Sequence, residues 1–328
     1  RYSWEPDISK TKFVKGQAMD RKVIFFEAIY KSKIWGGEHW IFSAHPHGQS
    51  VVKDGEFKGR TLGELWESHR EIFGGISGET FPILVKIIDA NEDLSVQVHP
   101  GNEYAQKNEN GEMGKSECWY ILDCEKDSKM VYGINAKNRE ELDDMIDNGQ
   151  WEKLLKVISI KKGDFYYVPS GTVHALKAGT KVLEIQQSSD TTYRLYDYDR
   201  RDEKGNLREL HIQKSKDVIE VPFINKQSKP KIQKINGITK IKFIESPYFT
   251  VEKYEIEDYV YLDNVHPFML MSVIEGEGEL LLDEAKYHIT KGDNFMLSSE
   301  VSKYVLDGNL SIIVSYLPPL SSRAQSKK

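Results

Sequence analysis

Short apolar segments, separated by glycine, proline, asparagine and aspartate, dominate the sequence and limit the folds that it can form. They include KVIFFEAIY, PILVKIID, ECWYILD, KVLEIQQ and FMLMSVIEGEGELLL. Segments of this kind, bounded by turn-forming residues, predict β-strands. Residues 61–74 and 138–158 instead show the spacing of amphipathic helices, with Gly149 dividing the second stretch in two. The pattern therefore predicts a mainly β protein, a sandwich or barrel with a few covering helices.

Length, charge and cysteine content narrow the class of protein further. The 328 residues are enough for two domains, or for one large domain with an appendage. The net charge is −6 without long runs of one sign, which argues against nucleic acid as a partner, because the phosphate backbone requires a basic stripe. Two cysteines, Cys118 and Cys124, are too few for a disulfide framework, and we expect buried free thiols. Without a signal peptide or a membrane-length apolar run, a soluble cytoplasmic protein is expected.

One segment, GDFYYVPSGTVHAL, carries a specific arrangement of turn residues and a histidine. The spacing of Gly163, Pro169, Gly171 and His174 matches the second sequence motif of the cupin family of double-stranded β-barrels. Glycine permits the tight turns and proline ends the strand. The returning strand would then direct His174 into the barrel interior.

A weaker repeat of this segment occurs near the C-terminus. Residues 157–176 and 286–305 both read apolar strand, Lys-Gly-Asp turn, apolar strand, but only the first copy ends in a histidine. The repeat predicts that one copy carries the chemistry and that the other is scaffold.

A second group of polar residues lies on the strand LSVQVHP. Because side chains alternate along a strand, Ser95, Gln97 and His99 share the face opposite the apolar one. Glu117 begins a strand of its own, ECWYILD. Together with His174, these residues offer two imidazoles, a carboxylate and an amide oxygen, a set that suits Zn²⁺ and also Mn²⁺, Co²⁺ or Fe²⁺. We therefore predict one divalent cation inside the first barrel.

Several uncommon strings occur in an order that resembles a known family, the bacterial type I mannose-6-phosphate isomerases in the short form typical of Gram-positive organisms. The strings are KIWGG, FSAHPHGQS, QVHP, GKSECWYIL, PSGTVHAL and QQSSDTTYRLYDYDR. The resemblance extends from about residue 22 to about residue 318. It implies two cupin-like double-stranded β-helix (jelly-roll) barrels with a small helical part. The chain departs from many members of the family at His47, where they have asparagine, and it lacks the long helical insertion of the enteric and fungal forms.

Composition along the chain, together with the two barrels that the resemblance implies, predicts a domain layout. We expect a flexible extension over residues 1–21, a catalytic cupin domain with helical insertions over 22–230, a second, metal-free cupin-like domain over 231–320 and a tail over 321–328. The lysine-rich stretch around Pro230 favours a boundary there.

Carried over by position, the resemblance also implies roles for individual residues. The expected zinc ligands, for one ion per chain, are His99, Glu117, His174 and, as a fourth, Gln97. The expected catalytic residues are Arg194, Lys115, Glu184 and Asp190. The expected substrate-binding residues are Ser95, Lys115 and Arg194.

The implied reaction is the interconversion of mannose 6-phosphate and fructose 6-phosphate through an enediolate. Zinc would act as a Lewis acid on oxygen. Arg194 does not readily lose its proton, so it would stabilise the enediolate or bind the phosphate. The base stays open between Glu184, Asp190 and a metal-bound hydroxide.

Two other functions fit part of the pattern, namely an iron-dependent cupin oxygenase and a non-catalytic sugar-binding cupin protein. Individual residues also have simpler alternatives: Gln97 could cap a backbone group, and Glu117 could pair with Lys115. The expected partner is a small sugar phosphate, with neither nucleic acid nor membrane, and the expected state is a monomer or weak homodimer.

Overall fold

The computed structural model describes residues 21–202, 204–282 and 285–319. The expected extension, apart from residue 21, and the expected tail lie outside these described residues. Within them, strands predominate and pair antiparallel, so the prediction of a mainly β protein is confirmed. The strands are β1 (Val23–Glu27), β2 (Ile29–Lys33), β3 (Gly36–Phe42), β4 (Ala44–His45), β5 (Gly48–Gln49), β6 (Val51–Val52), β7 (Ile83–Ala90), β8 (Val96–Val98), β9 (Glu117–Cys124), β10 (Lys129–Ile134), β11 (Leu155–Ser159), β12 (Phe165–Val168), β13 (His174–Leu176), β14 (Thr180–Gln187), β15 (Tyr193–Tyr196), β16 (Lys231–Ile235), β17 (Ile238–Glu245), β18 (Thr250–Ile256), β19 (Val260–Asp263), β20 (Met269–Leu282), β21 (Ala285–Thr290), β22 (Asn294–Leu297) and β23 (Lys303–Tyr316).

The described residues contain only short helices. They are α1 (Leu62–Ser68), α2 (Asn102–Asn108), α3 (Arg139–Asp147), α4 (Trp151–Leu154) and α5 (Ile212–Val218), with a 3₁₀ helix over Arg70–Phe73. Thr61 and Glu64 form a capping box at the start of α1, which satisfies free backbone N–H groups of its first turn. Among the described residues, no helix combines the length and the apolar character needed to cross a membrane.

The chain divides into two compact units that are not continuous in sequence. Unit 1 contains the described residues of Arg1–Ala28, Ile41–Phe81 and Ser228–Lys328, and unit 2 contains Ile29–Trp40 and Pro82–Gln227. The lysine-rich stretch around Pro230 predicted a boundary there, and the chain passes from unit 2 to unit 1 after Gln227. Residues 41–81 belong to unit 1 because of long-range pairing such as that of β6 with β1, which no local pattern reports.

Unit 2 is built on two antiparallel sheets with the strand orders β12-β9-β14-β7-β3-β2 and β11-β10-β13-β8-β15. One apolar cluster, which includes Trp119, Val182 and Leu176, joins residues of both sheets. A second cluster joins Val96 and Val98 of β8 to residues of the helices α3 to α5. The five-stranded sheet therefore has helices on one face and the six-stranded sheet on the other. Alternation along β8 directs the polar side chains toward the space between the sheets.

Unit 1 is built on a ten-stranded sheet. The main path runs β16-β17-β18-β23-β20-β22-β1-β6, with β19 on β23 and β21 on β20, and β4 and β5 form a separate ribbon. Its apolar core includes Met271, Phe295 and Leu306, all fully buried.

The Lys-Gly-Asp turn occurs in both units with the same hydrogen bond. Gly163 has φ +89° in unit 2, and Gly292 has φ +99° in unit 1. Asp164 Oδ2 accepts from the N–H of Lys161 at 3.0 Å, and Asp293 Oδ2 accepts from the N–H of Thr290 at 2.8 Å. The predicted repeat of strand, turn and strand is confirmed, as β11 with β12 and β21 with β22.

Two predictions from local pattern are wrong. The helical stretch over 138–158 does divide at Gly149, which has φ +61°, but its last four residues belong to β11, which pairs with β10. Pairing with a neighbouring strand outweighs the helical spacing of these residues. Cys118 is a buried free thiol as predicted, whereas the free thiol Cys124 is only half-buried.

Candidate metal centre and adjoining cavity

Three predicted ligands, from distant parts of the sequence, meet in unit 2. His99, Glu117 and His174 are all buried, and one possible ligand atom from each lies within 4.8 Å of the other two. Glu117 Oε1 lies 3.2 Å from His174 Nε2, and Glu117 Oε2 lies 3.4 Å from His99 Nε2. The predicted convergence of these side chains inside the first barrel is therefore observed.

The two sheets bring the ligands together. Glu117 is the first residue of β9 in the six-stranded sheet, while His174 begins β13 in the five-stranded sheet. His99 directly follows β8, which pairs with β13. In this pairing Gln97 of β8 lies opposite His174 of β13. The turn before β13 is tied to the same place, because the N–H of Gly171 donates to the carbonyl of His99 at 2.9 Å.

Backbone carbonyls orient both histidines. His99 Nδ1 lies 2.9 Å from the carbonyl oxygen of Thr191, and His174 Nδ1 lies 2.8 Å from that of Thr172. A carbonyl can only accept, so each Nδ1 carries the proton and each Nε2 keeps its lone pair. Metal-bound histidines are held in the same way by such outer partners.

The donor set fits a bound cation. Glu117 Oε1 and His174 Nε2 are buried and have no hydrogen-bond partner among the described residues. With Nδ1 protonated, both atoms are acceptors, and at 3.2 Å they repel each other unless a positive charge is shared between them. Two imidazole nitrogens and one carboxylate could hold Zn²⁺ or a similar divalent metal ion.

Lys115 keeps the ligands in the protonation states that bind metal. Its Nζ donates to Glu117 Oε2, and to His99 Nε2 at 3.0 Å. Burial, with the charge of Lys115 second, lowers the pKa of His99 to about 3, so the imidazole is neutral. Burial alone would raise the pKa of Glu117, but Lys115 holds it well below its usual value. An ion pair of Glu117 with Lys115 is the alternative to metal ligation that the sequence allows. In the structure Glu117 contacts Lys115 and also lies within the group of possible ligands.

A cavity in unit 2 lies next to this cluster. Lys115 lines it and contacts two of the ligands, and Trp119 lines it with its ring 5.2 Å from that of His174. The cavity collects the remaining predicted site residues, which are Ser95, Gln97, Lys115, Glu184, Asp190 and Arg194. Gln97 is half-buried there, and its role as a fourth ligand stays a prediction.

Glu184 is a buried carboxyl group on the cavity wall. It lies on β14, between Lys86 of β7 and Trp119 of β9. The indole of Trp119 donates to Oε2 at 2.8 Å, and Lys86 Nζ lies 3.6 Å from Oε1, which has no hydrogen-bond partner in the described part of the chain. Burial, followed by the charge of Glu117, raises the pKa of Glu184, although Lys86 opposes the shift.

Sequence reasoning missed several polar residues of the cavity. Lys86 is buried and also lies 3.9 Å from Glu38 Oε2, and Lys33 is 3.7 Å from the same atom. A lone lysine within the apolar strand PILVKIID is a signal that could have identified Lys86. Arg208 also lines the cavity, from a segment without regular structure, and no local pattern marks it.

Known proteins similar to this chain are mannose-6-phosphate isomerases. Residues 1–123 match the family described as phosphomannose isomerase type I, catalytic domain, and residues 239–317 match mannose-6-phosphate isomerase, cupin domain. Mannose-6-phosphate isomerase ManA of Bacillus subtilis is 49% identical over 315 residues, which cover 91% of this chain and 100% of that protein. Mannose-6-phosphate isomerase of Streptococcus mutans is 43% identical over 310 residues, 89% of this chain and 98% of that protein.

Solved structures show the same fold. The crystal structure of mannose 6-phosphate isomerase from Bacillus subtilis has a TM-score of 0.89 and 43% identity, over 90% of this chain and 100% of that chain. A putative mannosephosphate isomerase from Archaeoglobus fulgidus has a TM-score of 0.71 at 20% identity, over 92% and 100% of the two chains, and shows the fold alone. The predicted cupin-like architecture is confirmed.

Proposed function

The chain belongs to the type I phosphomannose isomerases, and on that premise we propose that it interconverts mannose 6-phosphate and fructose 6-phosphate with one zinc ion per chain. The ion would be held by His99, Glu117 and His174, with Gln97 as a fourth ligand. The observation that carries the proposal is the pair of buried, unshared acceptors Glu117 Oε1 and His174 Nε2 beside the cavity.

The charge of the cavity suits a sugar phosphate. Its lining holds five basic side chains against three acidic ones. A surplus of positive charge in a partly enclosed cavity attracts a phosphate ester and discriminates against neutral sugars. All the lining residues belong to unit 2, which supports the assignment of the chemistry to unit 2 and a scaffold role for unit 1.

Aldose–ketose isomerisation moves a proton between neighbouring carbons and places negative charge on oxygen in between. A bound zinc ion would supply a Lewis acid for that charge. Burial by itself would lower the pKa of Lys115, but Glu117 and Glu184 raise it, so the ammonium group can donate hydrogen bonds to substrate oxygens. Arg194 adds a second permanent positive charge on the cavity wall.

Glu184 is the proton carrier that the geometry supports best. It lines the cavity, its Oε1 has no hydrogen-bond partner among the described residues, and its raised pKa makes its carboxylate a stronger base. Glu184 would take the proton from C2 of mannose 6-phosphate and return it to C1, while the hydroxyl proton of O2 would pass to O1 by way of Lys115; the reverse reaction would use the same groups. Asp190, on the same cavity, remains the second candidate, and the hydroxyl of Ser95 would bind the sugar.

The test combines metal analysis with turnover. The purified protein should contain about one zinc ion per chain, form fructose 6-phosphate from mannose 6-phosphate, and lose activity on chelation until zinc is restored. His174→Ala should lose both the metal and at least a hundredfold of activity, since it removes a ligand. His288→Ala is the control, because the His288 side chain is 59% exposed and lies in unit 1. Full metal retention in His174→Ala, or activity that survives chelation, would contradict the proposal.

A further inference from the structure

We propose that Arg208, held by the buried carboxylate of Asp197, binds the phosphate group of the substrate together with Arg194 and so selects a phosphorylated hexose over a free one. The inference rests on the proposed function and adds a binding residue and a positioning residue to it. Asp197 lies within the string QQSSDTTYRLYDYDR, but neither Asp197 nor Arg208 is among the site residues that the resemblance implies.

Asp197 fixes the guanidinium of Arg208. Arg208 Nε donates to Asp197 Oδ2 at 2.8 Å, and Nη2 donates to Oδ1 at 2.5 Å, a two-point contact that defines the plane of the group. The Asp197 side chain is only 5% exposed, whereas 23% of the Arg208 side chain remains accessible. Arg208 lies between β15 and α5 without regular structure, so this contact, rather than a strand or helix, aims it at the cavity.

The guanidinium groups of Arg208, Arg200 and Arg194 act around the one buried carboxylate of Asp197. Asp197 Oδ1 also accepts from Arg200 Nη2 at 2.8 Å, and Arg200 Nη1 lies 3.3 Å from Glu92 Oε2, whose side chain is 60% exposed. Burial lowers the pKa of Arg194, the charges of Arg208 and Arg200 lower it further, and Asp197 and Glu209 oppose the shift. Glu209 faces the same group, but its side chain is 83% exposed and therefore screened by water. An anion in the cavity would relieve this repulsion.

Arg194 has a free donor in the same place. Its Nη1 donates to the carbonyl of Glu209 at 2.7 Å, but its Nε is buried without a hydrogen-bond partner in the part of the chain that the structure describes. A buried N–H group without a partner is costly and indicates a missing acceptor. A phosphate oxygen is an acceptor that would suit both arginines.

The other basic residues of the cavity are committed elsewhere. Lys115 contacts Glu117 and His99 at the metal cluster, and Lys86 lies between Glu38 and Glu184. Lys33, the remaining lysine of the lining, lies 3.7 Å from Glu38 Oε2. The reacting carbons of the substrate must lie near the metal cluster, so its phosphate must lie away from that cluster. The two arginines are the cations left for it.

The experiment compares Arg208→Gln with Arg201→Gln in the zinc-loaded 328-residue protein. Arg201 is exposed, donates to the carbonyl of Gly205 and does not line the cavity, so it is a matched control. Calorimetry measures the Kd of inorganic phosphate, and steady-state kinetics measure KM and kcat with mannose 6-phosphate. Circular dichroism and metal analysis establish that each variant is folded and loaded.

For Arg208→Gln we expect at least a tenfold rise in the phosphate Kd and in KM, with kcat changed less than threefold. A charged hydrogen bond of ordinary strength accounts for a loss of this size. Arg208→Lys should recover part of the loss, because it keeps the charge. Asp197→Asn should raise KM in the same direction, because it leaves Arg208 unfixed. Arg201→Gln should behave as the parent protein.

The proposal is overturned if folded Arg208→Gln binds phosphate as tightly as Arg201→Gln, or if kcat falls while KM does not change. If Arg208→Gln does not fold, Arg208→Lys and Asp197→Asn provide the test instead. A phosphate Kd equal to that of the parent protein in both variants overturns the proposal. Phosphate binding that depends on Arg208, in a protein that does not convert mannose 6-phosphate, would support this site and reject the proposed function.

Discussion

Replacing Glu117 with glutamine separates the electrostatic role of the cluster from its shape. Glu117 is 0% exposed, and its carboxylate accepts a hydrogen bond from Lys115, which is itself only 5% exposed. The substitution keeps the volume and removes one negative charge. It should therefore abolish metal binding and also destabilise the metal-free protein.

The size of the second effect follows from the burial of Lys115. Removing one member of a buried ion pair costs about 3–5 kcal/mol, because the remaining charge loses its partner without regaining water. Glu184 and Asp190 still act on Lys115 at longer range. We therefore expect a loss at the lower end, about 3 kcal/mol, in the free energy of unfolding.

Urea unfolding after chelation measures this loss, and metal analysis before chelation measures binding. Glu112→Gln is the control, because Glu112 is exposed and five residues before Glu117 in the same region of the chain. It should change neither quantity. Equal urea midpoints for the two variants, or retained metal in Glu117→Gln, would refute the electrostatic reasoning about the cluster.

Two further variants test the proton carrier and the turn. Lys86→Met removes a positive charge that lowers the pKa of Glu184, so the pKa of Glu184 should rise. The acid limb of the pH profile of kcat, where the base becomes protonated as pH falls, should therefore move to higher pH. An acid limb that does not move would exclude Glu184 as the base. Gly171→Ala should destabilise the protein by about 1–3 kcal/mol in thermal or urea unfolding, because φ is +83° and a Cβ would lie 2.9 Å from the carbonyl oxygen of Val218. Gly205→Ala has the same φ with open space around it, and an equal loss there would show that the contact with Val218 contributes nothing.

Local chemistry made part of the candidate site predictable. Alternation along β8 already separates Val96 and Val98 from Gln97, and the structure buries the two valines against helices while Gln97 faces the cavity. The position of His174 was predictable for a similar reason, because Gly171 alone permits the turn that returns the chain at that point.

Patterns along the sequence could not predict the strand β11 or the position of Arg208. Residues 155–158 carry helical spacing but belong to β11, since they pair with the neighbouring strand β10. Arg208 carries no pattern at all, because Asp197, eleven positions earlier, decides where its guanidinium points.

The sequence by itself therefore determined the mainly β architecture, the turns and the residue types available for a metal site, because strand alternation and glycine conformations depend on neighbours along the chain. The tertiary structure alone decided which acidic group is buried beside which cation, and so which pKa values shift. It also decided the discontinuous units and the presence of Arg208 in the cavity. Those properties depend on distances in space between residues that are far apart in sequence, and on the loss of water around them, which no local pattern encodes.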